Sequence, residues 1–527
     1  MDERQDYRWF WVIVIALLIL TRVPAMPTYF GIDNVNLALS LEKFDPRIHQ
    51  PQPPGYPFFV ALARSVNYFF HDAHKSFLIV SVSISGLCLV MAYLVGTRMF
   101  SRSAGTIAAL LLLVNPVFWS ASLAPNGGPL RPFLGLFSVL IAYCCWRCWN
   151  GEKQYALWSA VALGIGSGFR PDLIAFLFPL WLLSVRRGTK SWRAIVQGLV
   201  VLSVIVLVWV GATVVAMGGV STFMSIMLNY AVDQSKPGSI VLGSSIMAWV
   251  RQINRLVVWN GLAIVTWIWA VLFYFGNKER IRIGSSQGAF FFVWLVPGLI
   301  IQALTHIEEP GHTLYSVAAL CVLGGYVLSL VPAREVMVGA ALVMNVMLFL
   351  DFFPLPANSP NSGDRVPSIK NAMLFGTFES SIGEVRWLDD ITRTTLSEIE
   401  QFTPKDRPSI IVTTDSYRTQ WFMNWRIGRY YLPERDLWIL YNDEKKKRFQ
   451  RVRRNNVLEA SDATPLRLPV FREGRILWVV EPDSQIYKQI AAVQKLSGGK
   501  FVFYSDVTTD SPAFTIDQFE IVPAIHP

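Results

Sequence analysis

Long apolar runs fill the first two-thirds of the chain and limit what it can fold into. They lie near residues 8–27, 76–96, 103–122, 131–149, 154–169, 171–186, 193–216, 256–276, 287–305, 312–331 and 335–353. A helix needs about 20 mostly apolar residues to cross the hydrocarbon of a bilayer. A helix also satisfies its own backbone polar groups there. The runs therefore predict a membrane all-α multi-span bundle of about 11 helices. The runs at 154–169 and 171–186 are short and share a polar junction. Between the first two runs, Tyr56 to Phe70 is apolar but cut by Arg64 and Asn67, the pattern of an interfacial or re-entrant helix. Trp9–Leu20 has the length of a signal-peptide core, but Arg22 and Pro24 occupy the place of a small-residue cleavage site. An uncleaved anchor is the expectation.

Charge divides the chain further. Only 16% of its 527 residues are charged, and 47 basic against 37 acidic side chains leave a net +10. Soluble domains carry about 25% charged residues. Residues 1–353 hold 24 basic and 15 acidic side chains, whereas residues 354–527 hold 23 and 22. The reading is a transmembrane body over 1–353, with a first outer loop at 28–75, followed by a C-terminal soluble α/β domain over 354–527. In that domain, strand-like Ser409–Thr414, Arg475–Val480 and Lys500–Tyr504 alternate with helix-like stretches such as Ile382–Phe402.

Orientation follows from the loops. With the N-terminus inside, the inner segments contain Arg98, Arg102, Arg147, Lys153, Arg186, Arg187, Lys190, Arg193 and Arg334 among 14 basic and six acidic residues. The outer side has 10 basic and nine acidic. Basic residues in short loops stay cytoplasmic, so the C-terminal domain is expected outside, on a cell (inner) membrane. The net +10 is then a topology signal, and nucleic acid drops out as a partner. The run Lys445–Arg454, with seven cations in ten residues, reads as a solvated face or a contact for anionic headgroups or acidic glycans. All five cysteines fall in apolar runs. Cys145 and Cys148 have CxxC spacing without a second ligand pair, so buried inert thiols are expected.

Residues able to do chemistry gather in the outer segments, in three clusters. The first runs from Gly31 to Pro57. Asp33 and Asn34 precede Val35, Leu37, Leu39 and Leu41, which suits a helix N-cap. A carboxylate there can equally take a proton from an incoming hydroxyl. The proline-rich stretch Gln50–Pro57 cannot continue a helix and would hold His49 and Tyr56 in a rigid turn. The second cluster is Ser167-Gly-Phe-Arg-Pro-Asp172. Arg170 there is either an interfacial side chain reaching for headgroups or a cation aimed at a phosphate. Asp172 suits the first turn of the next helix. The third cluster, His306-Ile-Glu-Glu-Pro-Gly-His312 with Tyr315, reads as a wet turn or as a metal-binding group. Its spacing matches no closed ligand set, so a divalent metal is unsupported and no metal ligand is assigned.

The run Asp33-Asn-Val-Asn-Leu-Ala-Leu, Phe44-Asp45 and His49-Gln-Pro-Gln-Pro-Pro-Gly-Tyr-Pro57 resembles the first outer loop of bacterial polytopic glycosyltransferases of the GT-C fold. These are relatives of the protein O-mannosyltransferases and aminoarabinose transferases, in the mannosyltransferase-like group. Gly168-Phe-Arg-Pro-Asp172 with Phe178-Pro-Leu-Trp181, and Glu309-Pro-Gly-His312 where relatives often read Pro-Gly-Tyr, resemble two later motifs. The resemblance spans roughly residues 8–350.

It implies an enzyme that takes a sugar from a polyprenyl-phosphate donor on the extracytoplasmic face, with inversion at the anomeric carbon. The acceptor would be a protein, lipid or glycan hydroxyl. Asp33 matches the family's essential acidic residue and would be the base. Many relatives follow that Asp with Glu, whereas this chain has Asn34, which puts a second carboxylate in doubt. Arg170 or Arg131 would stabilise the departing phosphate. His49, Tyr56, Asp172, Glu309 and His312 would orient sugar and phosphate. Two other classes stand beside this one. A transporter or lipid flippase would show internal repeats and mid-membrane polar residues, which are not evident. A non-catalytic partner in an envelope glycan pathway would keep its activity without Asp33.

Overall fold

The computed structural model describes the chain except for residues 1–2, 124–126, 275–282, 306, 351–378, 415–424, 444–445, 453–457, 461–465, 472, 483, 509–513, 517–518 and 525–527. The chain divides into two compact units, one of Met1–Met26 with Ser40–Val385, the other of Pro27–Leu39 with Arg386–Pro527.

The first unit is helical. Its elements are α1 (Glu3–Arg22), the end of α2 (Ile32–Glu42), α3 (Pro57–Phe70), α4 (Ala73–Met99), α5 (Arg102–Val114), α6 (Pro116–Leu123), α7 (Arg131–Trp149), α8 (Tyr155–Phe169) and α9 (Asp172–Thr189). They continue with α10 (Trp192–Met217), α11 (Val220–Ser235), α12 (Ile246–Tyr274), α13 (Ser285–Leu304), α14 (Leu314–Ser329) and α15 (Arg334–Phe349). The expected helix at Tyr56–Phe70 is present as α3, and Tyr68, Phe69 and Phe70 at its end are exposed.

The count of eleven spans is not confirmed. Among the described residues six helices are long and apolar enough to cross, seven if the bent pair α5 and α6 is one span. The reason is local. Asn115 and Pro116 break the run at 103–122 into two helices bent by 50°, because proline has no N–H to continue the ladder. Asn115 Oδ1 restarts it by accepting the Phe118 N–H at 3.1 Å. The helix α8 has only 15 residues, too few for a full crossing.

Small residues bring the central helices together. A methyl at Gly96 of α4 would lie 2.8 Å from the Gly105 Cα of α5. Gly325 of α14 packs as closely on Ala104 and Ala108. Lipid provides no hydrophobic drive between helices, so such backbone approach supplies the packing. All five cysteines are buried and none is in a disulfide.

The second unit is the α/β module. It contains α16 (Ile382–Phe402, from Arg386 on) and a seven-stranded sheet. In chain order the strands are β1 (Ser409–Thr414), β2 (Leu437–Asp443), β3 (Lys446–Val452), β4 (Leu458–Ala460), β5 (Leu466–Phe471), β6 (Gly474–Val479), β7 (Ser497–Gly498), β8 (Val502–Val507), β9 (Phe514–Ile516) and β10 (Phe519–Ala524). The large sheet runs β4-β3-β2-β1-β6-β8-β7, and β5-β10-β9 form a smaller one. The central strand β1 is parallel to β2 and β6. Its core is Ile410, Val412, Trp438, Ile476, Trp478, Val480 and Ile490. From α16, the Glu398 carboxylate accepts the backbone N–H groups of Lys500, Phe501 and Val502 at 2.6, 2.9 and 2.9 Å.

Candidate active site

Proline-rich sequence shapes the first loop of the helical unit. Asp45 and Gln50 exchange backbone hydrogen bonds (Asp45 N–H to Gln50 O, 2.6 Å; Gln50 N–H to Asp45 O, 3.1 Å). The Asp45 carboxylate takes the Arg47 guanidinium through both oxygens, at 2.8 and 2.9 Å. That ion pair holds the Asp45 carboxyl below the usual carboxylate range. His49 and Tyr56 both adopt left-handed backbone, at φ 57° and 44°. Gly55 between them has φ 98°, and a methyl there would also lie 3.0 Å from Pro46 Cγ. Only glycine combines that backbone with that space. The proline-rich stretch therefore forms a turn between His49 and Tyr56. His49 meets Tyr230 of α11 edge-on, with ring centroids 6.1 Å apart.

Two buried guanidiniums form the centre of the site. Arg131 opens α7 and gives its Nη2 hydrogen to Glu309 Oε2 at 2.6 Å. Arg170 ends α8 and forks onto Asp172, Nε to Oδ1 at 3.1 Å and Nη2 to Oδ2 at 2.6 Å. Its remaining Nη1 is buried with no hydrogen-bond partner among the described residues. Tyr56 and Glu309 are both within electrostatic reach of Arg170. Burial pushes the Glu309 carboxyl upward, opposed by the charges of Arg131 and Arg170. Burial works against the charge on Arg170, but the Asp172 carboxylate outweighs it and the guanidinium stays protonated. The result is a cluster of two cations with two carboxylates, anchored on three helix ends.

The Glu309-Pro-Gly-His312 motif shows why its glycine is there. A methyl on Gly311 would sit 2.7 Å from Arg131 Cδ and 2.8 Å from Cγ, so the arginine stem lies directly on the glycine backbone. Gln302 Nε2 donates to the His312 carbonyl at 2.5 Å, and the Glu308 N–H donates to His312 Nδ1 at 3.3 Å. Among the described residues no three His, Cys, Asp or Glu side chains gather as a metal-holding group. His306 lies outside those residues, as do Lys278, Arg280 and Arg282 of the predicted inner side.

The opposite end of the helices is cationic. Along α7, Arg131 and Arg147 are separated by about 24 Å. Around Arg147, Glu152 binds both that residue and Arg98, and Arg187 lies over the Trp149 ring at 4.5 Å. The candidate site and the predicted cytoplasmic cations thus occupy opposite ends of α7.

Asp33 is placed differently from the expected cap. The helix α2 begins at Ile32, so Asp33 lies inside its first turn. There its carboxylate complements the helix dipole instead of capping it. Asn34 is fully buried. Asp33 belongs to the Pro27–Leu39 segment of the second unit, whereas Tyr56, Arg131, Arg170, Asp172, Glu309 and His312 belong to the first.

A family model described as dolichyl-phosphate-mannose-protein mannosyltransferase matches residues 51–210. That stretch includes Tyr56, Arg131, Arg170 and Asp172. No curated protein matches the chain in sequence. ArnT from Cupriavidus metallidurans bound to undecaprenyl phosphate is similar in structure, with a TM-score of 0.58 at 13% identity over 98% of this chain and 100% of that one. Its fold is the GT-C glycosyltransferase fold. The apo form of the same ArnT gives 0.56 at 13% identity, covering 96% and 98%.

Two contributors to this arrangement went unread in the sequence. Gln302 is an amide in the last turn of the apolar helix α13, where a buried polar side chain is unusual. Tyr230 carried no signal, since its role comes only from where α11 returns to His49.

Proposed function

We propose that the chain is an integral-membrane glycosyltransferase. It moves a sugar, mannose-like by analogy with the matching family model, from a polyprenyl-phosphate donor to a hydroxyl acceptor on the extracytoplasmic face. The observation that carries this reading is the buried pair Arg131 and Arg170. Two guanidiniums held by carboxylates at helix ends are a receptor for phosphate oxygens, to which arginine donates bidentately. The solved relative ArnT, as named, holds undecaprenyl phosphate, which supports the same class of donor here.

In the proposed reaction, Asp33 takes the proton of the acceptor hydroxyl as its oxygen attacks the anomeric carbon. The bond from that carbon to the donor phosphate breaks, and its electron pair leaves on the phosphate. Arg170 and Arg131 stabilise that charge, an electrostatic effect worth about 10²–10³ in rate per donor removed. His49, Tyr56 and His312 orient the donor, and Asp172 and Glu309 hold the two guanidiniums in place. The products are a glycoside and polyprenyl phosphate, with the proton on Asp33 passing to water.

The test is sugar transfer by the purified full-length protein from polyprenyl-phosphate mannose and related donors to hydroxyl acceptors. Transfer that is lost in Arg170→Gln supports the reading. Movement of the lipid across a proteoliposome membrane with no transfer sinks it in favour of a flippase. Full activity of Asp33→Ala removes the assigned base.

A further inference from the structure

The second unit contains the segment that bears Asp33, and its contacts to that segment are made through the backbone just ahead of α2. The Tyr29 N–H donates to Asp389 Oδ1 at 2.7 Å. The Phe30 N–H donates to the Tyr431 hydroxyl at 2.6 Å. The Asp389 side chain is fully buried and also takes the Arg393 guanidinium at 3.1 Å. Tyr29 and Phe30 add ring contacts to Tyr431 (5.5 Å) and Tyr430 (6.1 Å). Gly31 follows, its carbonyl accepting the Val35 N–H at 3.0 Å to close the first turn of α2. Asp33 lies in that turn, so its place is set three and four residues upstream by side chains far along the chain.

We propose that Asp389 and Tyr431 are positioning residues that hold Asp33 for catalysis. The α/β module would then act on turnover itself, beyond any part in acceptor recruitment. The inference rests on the reading of Asp33 as base. Backbone N–H groups bonded to a buried carboxylate and a phenol fix a segment more firmly than surface contacts do, since leaving either unpaired has a desolvation penalty. Releasing them lets the first turn of α2 drift, and a misplacement of about 1 Å can lower a rate about 100-fold.

The experiment compares Asp389→Ala, Asp389→Asn and Tyr431→Phe in the purified full-length protein with polyprenyl-phosphate mannose. Asp389→Ala and Tyr431→Phe are expected to lower kcat by about 10- to 100-fold and to leave KM for the lipid donor unchanged. Asp389→Asn, which keeps an acceptor oxygen, is expected to retain more of kcat than Asp389→Ala. Amide exchange should rise across residues 27–39 and stay slow at Ile410, Val412 and Trp478. Unchanged kcat in both Asp389→Ala and Tyr431→Phe overturns the proposal. So does exchange that rises equally throughout β1 and β6, the mark of a merely structural role. Full turnover by Asp33→Ala would instead defeat the premise that Asp33 is the base, whatever the exchange shows.

Discussion

The Arg131 guanidinium lies 2.6 Å from the Glu309 carboxylate, across 178 positions of sequence. Both are largely buried, at 8% and 19% side-chain exposure. Removing one partner of a buried pair leaves the other charge uncompensated and costs about 3–5 kcal/mol. Glu309→Ala is therefore expected to lower stability by about 3 kcal/mol, the lower end because Glu309 keeps some contact with water. Thermal unfolding in detergent measures it. A variant as stable as the native chain would show that Arg131 does not depend on this carboxylate.

Arg170 holds Asp172 with two of its nitrogens, and the third, Nη1, is buried with no hydrogen-bond partner among the described residues. A fork of this kind cannot be copied by an ammonium. Arg170→Lys should accordingly behave like Arg170→Gln and lose about 10²–10³ in kcat with a polyprenyl-phosphate donor. Recovery of near-native turnover by the lysine would mean that charge alone matters and that the fork does not.

These two arginines also show how far sequence alone reaches. Arg170 stood out because a cation between two apolar runs needs a reason, and Glu309 because it lies in a turn motif. Their common location with Arg131 was not legible, since it depends on how α7, α8 and the loop before α14 converge. Helix type was readable from composition, yet the break at Asn115 and Pro116 changed the span count. The two-residue shift at Asp33 reflects Gly31 taking the cap position, with its carbonyl accepting the Val35 N–H and Ile32 entering the helix. Least visible was the attachment of residues 27–39 to the C-terminal unit, because backbone N–H groups at Tyr29 and Phe30 leave no mark in side-chain pattern.

The Asp45 to Arg47 pair gives the first loop an acid limit. Arg47 hydrogen bonding depresses the folded-state carboxyl below its ordinary 3.8. A depressed carboxylate contributes stability above its unfolded pKa and loses it as pH falls through the folded value. The loop around His49 and Gly55 should therefore be equally protected at pH 7 and pH 5, and loosen below pH 3.8. Since the Arg47 side chain is half exposed, solvent screens the pair and its contribution is modest. Asp45→Asn should show faster amide exchange over residues 44–55 at neutral pH, with the gap to the native chain closing in acid. A gap that persists at the lowest pH would assign the loop's order to its prolines.

Gly311 offers a test that changes no charge. Its Cα lies against the Arg131 stem, and an added methyl would meet Cδ at 2.7 Å and Cγ at 2.8 Å. Approach under 3 Å requires movement, and the stem is confined by the Glu309 bond at one end and α7 at the other. Gly311→Ala should therefore displace the guanidinium, with an overpacking cost of about 1–3 kcal/mol. If Arg131 and Arg170 together receive the donor phosphate, the same substitution should raise KM for the lipid donor and lower kcat. Gly325→Ala, more crowded still and against the backbone of Ala104 and Ala108, provides the contrast. It should lose at least as much stability while KM for the donor stays unchanged. Equal effects of the two substitutions on KM would show that the glycine serves helix packing alone.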